Sequence, residues 1–201
     1  RVVGDLMVDL AAQTARTLTR PSPVLERFGV RPGEYGVATI HRASNTDEPA
    51  AFARLVQGMR MTRIPIVFPI HPRSRELAHE QSVGAAGDTL IASDPLPYAD
   101  MIALMRDARV ILTDSGGIQK EALVLGVPCV TLRTETEWTE TLNDGWNALA
   151  GGDPVAIARL AERPKPRRSP EAYYGAGDAA MRTADALLGV RRPAEEAVAA
   201  R

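Results

Sequence analysis

Cysteine is almost missing from this chain. A single thiol, Cys129, in 201 residues leaves no internal disulfide and no CxxC redox or metal pair. It lies in the apolar run Pro128-Cys129-Val130-Thr131-Leu132 and is expected to be buried and inert. Only three histidines are present, and with one cysteine they form no metal-ligand spacing, so no metal is expected. A formal net charge of −1 gives no reason to expect a nucleic acid or an anionic membrane as partner. No apolar run approaches the roughly 20 residues that span a bilayer. No signal peptide and no internal repeat is visible. These absences lead to the expectation of a cytoplasmic protein. The chain starts at Arg1 rather than Met, which suits a processed or excised piece that has lost an N-terminal segment.

What is present is ordinary in bulk and informative in order. Apolar residues at 45% and charged residues at 24% suit one large domain with a real core. Short Val- and Ile-rich runs alternate with helical patterns. Strands are expected at Gly36–Ile40, Pro65–Ile70, Thr89–Ala92, Val110–Thr113, Val127–Leu132 and Asn147–Ala150. Helices are expected at Pro49–Arg60, Arg73–Gln81, Tyr98–Arg106, Gly117–Leu125, Glu137–Asn143 and Pro154–Glu162, with a final helix at Asp178–Leu188. Buried runs of this kind, joined through helices, predict an α/β fold: a Rossmann-like, doubly wound parallel sheet of about six strands. The parse divides the chain into a helical segment over 1–20, a domain over 21–177 and a C-terminal helix with a frayed tail over 178–201. Local signals agree. Asn45-Thr46-Asp47-Glu48-Pro49 and Asp153-Pro154 read as capped helix starts, and Gly126-Val127-Pro128 stops a helix. The basic run Arg163–Arg168 reads as part of a long solvated loop. Both chain ends offer helical surface suited to packing on a second domain.

Ligands in such sheets bind at the carboxyl ends of the strands. The segment Leu112-Thr113-Asp114-Ser115-Gly116-Gly117-Ile118-Gln119-Lys120-Glu121 runs from strand to glycine turn to helix. Unpaired N–H groups and the positive end of the helix dipole favour an anion there, and two glycines let a phosphate close to the backbone. Glu121, four residues after Gly117, falls on the same helix face one turn deeper. A carboxylate there accepts from a ribose diol while a diphosphate rests on the turn, which is the layout of a sugar-nucleotide site. His41 and His71 each follow a strand and share the same expected edge. His79, inside a helix, is expected on the surface. Arg42, Arg73 and Arg133 also follow strand ends, where guanidinium suits phosphate oxygens and equally suits surface ion pairs. Glu137 is a candidate to hold a sugar hydroxyl or a neighbouring arginine, or to cap the next helix beside Thr136.

The order His41-Arg42, Asn45, His71-Pro72-Arg73, Thr113-Asp114-Ser115-Gly116-Gly117, Glu121-Ala122, Leu125-Gly126-Val127-Pro128, Leu132-Arg133 and Thr136-Glu137 resembles the UDP-N-acetylglucosamine 2-epimerase family. The resemblance spans roughly Val3 to Met181. It implies one half of a GT-B-type pair of Rossmann-like domains, the C-terminal half that holds UDP. It implies Ser115, Gly116 and Gly117 on the diphosphate, Glu121 on the ribose, His41 facing the diphosphate or leaving oxygen, and Leu96 to Met101 beside the uracil. It also implies a reaction that eliminates UDP and adds it back with inversion at C2, converting UDP-GlcNAc to UDP-ManNAc for cell-wall polysaccharide synthesis, with no cofactor. The carboxylates that move the C2 proton belong, by resemblance, to an N-terminal domain, so this chain is expected to bind UDP or a UDP-N-acetylamino sugar and to turn over little alone. A homodimer is left open. Three positions depart from the family pattern: Ser44 stands where a glutamate is common, Trp138-Thr139 stand where Arg-Pro is common, and Ala176 interrupts a Tyr-Gly-Asp-Gly pattern. A GT-B glycosyltransferase domain and a non-catalytic nucleotide-sugar-binding module are the alternative readings.

Overall fold

The structure, a computed structural model, describes residues 1–175 and 177–189. The expectations for Ala176 and for the tail from 190 onward lie outside the described residues. Six short strands form one parallel sheet: β1 (Gly36–Thr39), β2 (Ile66–Pro69), β3 (Leu90–Ser93), β4 (Val110–Thr113), β5 (Cys129–Thr131) and β6 (Asn147–Leu149). Their spatial order is β3-β2-β1-β4-β5-β6. The order reverses between β1 and β4, which pair in parallel from Gly36↔Val110 to Thr39↔Thr113. That junction is the switch point, and ligands of such sheets bind in the crevice outside its carboxyl edge.

Strand alternation separates two cores. Ala38, Ile66, Phe68, Val110, Leu112 and Val130 face one layer, built on α4 (Pro49–Arg60) and α8 (Pro154–Ala161). Val37, Val67, Ile111 and Cys129 face the other, built on α2 (Pro23–Phe28), α6 (Tyr98–Asp107) and α7 (Gly116–Leu125). Cys129 is buried as expected, and burial pushes its thiol up to about 12. Remaining α-helices among the described residues are α1 (Leu6–Thr17), the single turn α3 (Ala43–Thr46), α5 (Arg75–Glu80), which carries the exposed His79, and α9 (Ala179–Leu187). Helix α1 packs on α7 and α6, and α9 packs on α1.

Three local readings change. The expected helix over Glu137–Asn143 is a 3-10 segment, Thr139–Gly145, broken where Asp144 takes a left-handed conformation at φ 53°. The expected capping oxygens before Pro49 do not cap α4: its N-cap is Glu48, without a side-chain bond. Asn45 and Asp47 are engaged elsewhere, on Asp114 and Arg73. Arg163 is no solvated loop residue; its Nη2 donates to the carbonyls of Cys129 (2.7 Å) and Trp146 (2.9 Å) at the amino edge of the sheet. Helix α2 was not foreseen, although Pro23 opens it and Gly29, at φ 63°, closes it. At Asp153-Pro154 and at Gly126 the cap readings hold.

Candidate functional site

The rim of the crevice is built around a carboxylate that never reaches solvent. Asp114 directly follows β4 and is fully buried. Its oxygens accept from the backbone N–H of His41 (3.1 Å) and of Arg42 (3.0 Å), and from Nδ2 of Asn45 (3.0 Å). Asn45 also donates to the carbonyl of Leu132 at 3.1 Å. One buried group thus ties the turn after β1 to the ends of β4 and β5. Imidazole Nδ1 of His41 stands 3.3 Å from Asp114, which orients the ring while its outer edge stays accessible. The His41 and His71 rings lie 5.5 Å apart, tilted by 40°. His71 uses its own Nδ1 to accept from the N–H of Arg73.

The glycine turn follows directly. Thr113 Oγ1 accepts from the N–H of Ser115 (3.0 Å) and shares a hydrogen bond with Thr39 Oγ1 (2.6 Å). Ser115 is the N-cap of α7, and its Oγ accepts weakly from Ile118 N at 3.5 Å. Gly116 and Gly117 occupy the first two helical positions, where N–H groups have no partner inside the helix. A Cβ added at Gly116 would come within 2.7 Å of Trp138 Nε1, so glycine is what lets the indole lie against the turn. Glu121 lies one turn deeper, 4% exposed, and accepts from the Tyr98 hydroxyl at 3.0 Å. Burial raises its pKa, against the lowering effects of Tyr98 and Lys120.

The other candidates surround this centre or turn from it. Glu137 accepts from both Arg133 (2.8 Å and 3.0 Å) and Arg42 (3.2 Å), which bridges the ends of β5 and β1. The Arg133 hydrogen bond holds the Glu137 carboxyl down at about 2. Its partners in this structure are the two arginines, and its Oε2 lies 3.8 Å from where a Cβ at Gly116 would stand, beside the glycine turn. Arg73 turns away to Thr46 (2.9 Å) and Asp47 (2.6 Å), in an exposed ion pair. Leu96 and Met101 are half-buried against the α6–α7 core, on the loop and first turn that lead into α6.

The chain as a whole has known relatives. The family model for UDP-N-acetylglucosamine 2-epimerase matches residues 1–188. The chain belongs to the UDP-N-acetylglucosamine 2-epimerase family. It is 35% identical over 190 residues to a UDP-N-acetylglucosamine 2-epimerase homolog of Methanococcus maripaludis, covering 92% of this chain and 53% of that protein. It is also 35% identical over 190 residues to the UDP-2,3-diacetamido-2,3-dideoxy-D-glucuronate 2-epimerase of Pseudomonas aeruginosa, covering 92% of this chain and 51% of that protein. The crystal structure of the Methanocaldococcus jannaschii UDP-GlcNAc 2-epimerase in complex with UDP-GlcNAc and UDP matches 94% of this chain and 54% of that one, at 29% identity and a TM-score of 0.81. The chain spans about half the length of the curated relatives it matches.

Within this family frame, two departures have visible places. Ser44 is exposed on α3. Trp138 lies against Gly116, with Lys120 Nζ 3.8 Å from its ring centre and Tyr174 meeting it edge-on at 5.8 Å. Sequence reasoning passed over Asp114 as an organiser, although the signal was there: a carboxylate at a buried strand end, just ahead of the glycine turn. Tyr98 was also missed as a partner of Glu121, because a contact 23 residues apart depends on how α6 sits beside α7.

Proposed function

We propose that this chain is the nucleotide-binding half of a UDP-N-acetylglucosamine 2-epimerase, taking UDP or a UDP-N-acetylamino sugar at the crevice between β1 and β4. The observation that carries the reading is the free first turn of α7 at Gly116 and Gly117, flanked by His41 on its Asp114 support and by Glu121 one turn deeper. Unpaired N–H groups and the helix dipole favour the diphosphate, and they act most strongly where charge builds up on the departing UDP oxygen. His41 faces that oxygen, Ser115 stands beside it, and Glu121 accepts from the ribose diol. Arg42 and Arg133, already joined through Glu137, supply positive charge at the mouth. The match to a structure holding UDP-GlcNAc and UDP supports the ligand class.

The reaction breaks the anomeric C–O bond as a proton leaves C2, then reverses with the proton returned to the other face. Placed acid–base groups for that proton contribute roughly 10²–10⁴-fold each. Among the described residues, no carboxylate of the rim is suited to the task, since Asp114 is saturated, Glu137 is held by two arginines and Glu121 lies deep in α7. The proton-moving carboxylates are assigned to an N-terminal domain, and the 201-residue chain alone is expected to bind without turning over. Calorimetric titration with UDP, UMP and UDP-N-acetylglucosamine tests the pose in wild type, Ser115→Ala and Glu121→Ala. Each variant is expected to lose roughly 1.5–3 kcal/mol, the worth of a charge-assisted hydrogen bond. Unchanged affinity in both would remove the pose, and deuterium exchange at C2 by the chain alone would remove the claim of inactivity.

A further inference from the structure

Tyr98 opens α6 and reaches across to α7, where its hydroxyl donates to Glu121 Oε1 at 3.0 Å. The tyrosine is 39% exposed while the glutamate is 4% exposed, so a partly open side chain holds a buried carboxylate. Among the described residues, no other side chain or backbone group donates to that carboxylate. We infer that Tyr98 is the positioning residue that holds Glu121 in the orientation that selects ribose over 2′-deoxyribose. The inference rests on the reading of Glu121 as the ribose acceptor.

The physical case has two parts. A carboxylate on a flexible side chain has several rotamers, and only those that present an oxygen to the crevice accept from a sugar diol. The Tyr98 hydroxyl fixes Oε1 and leaves Oε2 for the incoming hydroxyl groups. Second, burial favours the neutral acid, which would turn one acceptor oxygen into a donor. The groups facing Glu121 are Tyr98 from α6, Lys120 from its own helix and Asp5 from the start of α1. Tyr98 and Lys120 favour the ionised form, while burial and Asp5 oppose it. Losing the tyrosine hydroxyl therefore moves the protonation of Glu121 to higher pH.

The test is calorimetric titration of the chain with UDP and with 2′-deoxy-UDP, in wild type, Tyr98→Phe, Glu121→Gln and the double variant, repeated at several pH values. Wild type is expected to prefer UDP by about tenfold, the equivalent of one net hydrogen bond of 1.4 kcal/mol. Tyr98→Phe should shrink that preference at least threefold and move the loss of UDP affinity on acidification to higher pH. In the Glu121→Gln background the same change should alter neither quantity, because its route of action is gone. A preference and pH profile unchanged in Tyr98→Phe would overturn the inference. An equal loss of affinity in both backgrounds would also overturn it, by showing a role in packing alone. Wild type that binds UDP and 2′-deoxy-UDP equally would instead sink the ribose assignment of Glu121, a failure of the underlying reading that the variant comparison keeps separate.

Discussion

Asp114 does more for the rim than any side chain that a ligand would touch. It converts one buried negative charge into the fixed path of the His41–Arg42 turn, because two backbone N–H groups and one amide point at it. In Asp114→Ala those donors, one buried and two partly buried, lose their acceptor, and each fully unsatisfied group costs about 1–3 kcal/mol. The costs overlap through relaxation, so a loss of about 3 kcal/mol is expected. Asp114→Asn keeps the shape but turns an NH2 toward existing donors, and should lose about 2 kcal/mol. Urea unfolding measures both: the midpoint should fall with little change in slope, and a loss under about 1 kcal/mol in the alanine variant would contradict the account. The nearby Arg42–Glu137 pair is exposed and screened, and is worth under about 1 kcal/mol. Burial, rather than charge count, decides which carboxylate matters.

Elements meet here at distances that particular residues set. Gly58 lies inside α4, where a helix favours alanine by roughly 1 kcal/mol. Yet a Cβ at that position would come within 2.9 Å of Ile157 Cβ and 3.0 Å of Pro154 Cα, both on α8. Neither atom is the free end of a flexible chain, so α8 would have to move as a body. Overpacking of this kind costs about 1–3 kcal/mol, which outweighs the propensity gain. Gly58→Ala is therefore expected to lower the melting temperature by several degrees, at roughly 2–4 °C per kcal/mol for a domain of this size. A rise in melting temperature would show that α4 and α8 can part freely. The same reasoning separates what was readable at this scale. Pro49, Pro154 and Gly126 act on their own backbone and announced helix ends from sequence. The Gly58 contact depends on a partner nearly a hundred residues away and announced nothing.

At the scale of the molecule, alternation of apolar runs and helical patterns was enough to read a parallel α/β sheet, and the reading put His41, His71 and the Ser115 turn on one edge. Strand ends and turns follow from local chemistry, and the carboxyl edge follows from topology. What stayed hidden was pairing across space: Asp114 with Asn45, Tyr98 with Glu121, Arg163 with the amino edge. The chain ends show the same limit. Asp5 caps α1 by accepting from Met7 N (2.8 Å) and Val8 N (3.3 Å), and its N–H donates to Tyr174 O at 2.8 Å. Its carboxylate also pairs with Lys120 on α7, and Asp9 accepts from Ala179 N (2.6 Å) at the start of α9. Residues from both ends are thereby clasped to the helix that carries the glycine turn. Burial would raise the Asp5 pKa, but the Lys120 pair and the Val8 and Met7 N–H groups outweigh it, and the carboxyl sits below its usual value. A depressed carboxylate pKa contributes stability that is complete above the unfolded value, about 3.9, and disappears as pH falls through the folded one. Asp5→Asn loses the ion pair and leaves the largely buried Lys120 charge with only the Trp138 and Tyr174 rings beside it, so a loss of about 2 kcal/mol is expected at pH 7. That gap should close as the pH is lowered below about 3.9, because wild type then carries a neutral acid where the variant carries a neutral amide. Urea unfolding of both proteins from pH 7 downward measures it. A gap that stays constant through the acid range would show that Asp5 acts through shape, and that the clasp does not depend on its charge.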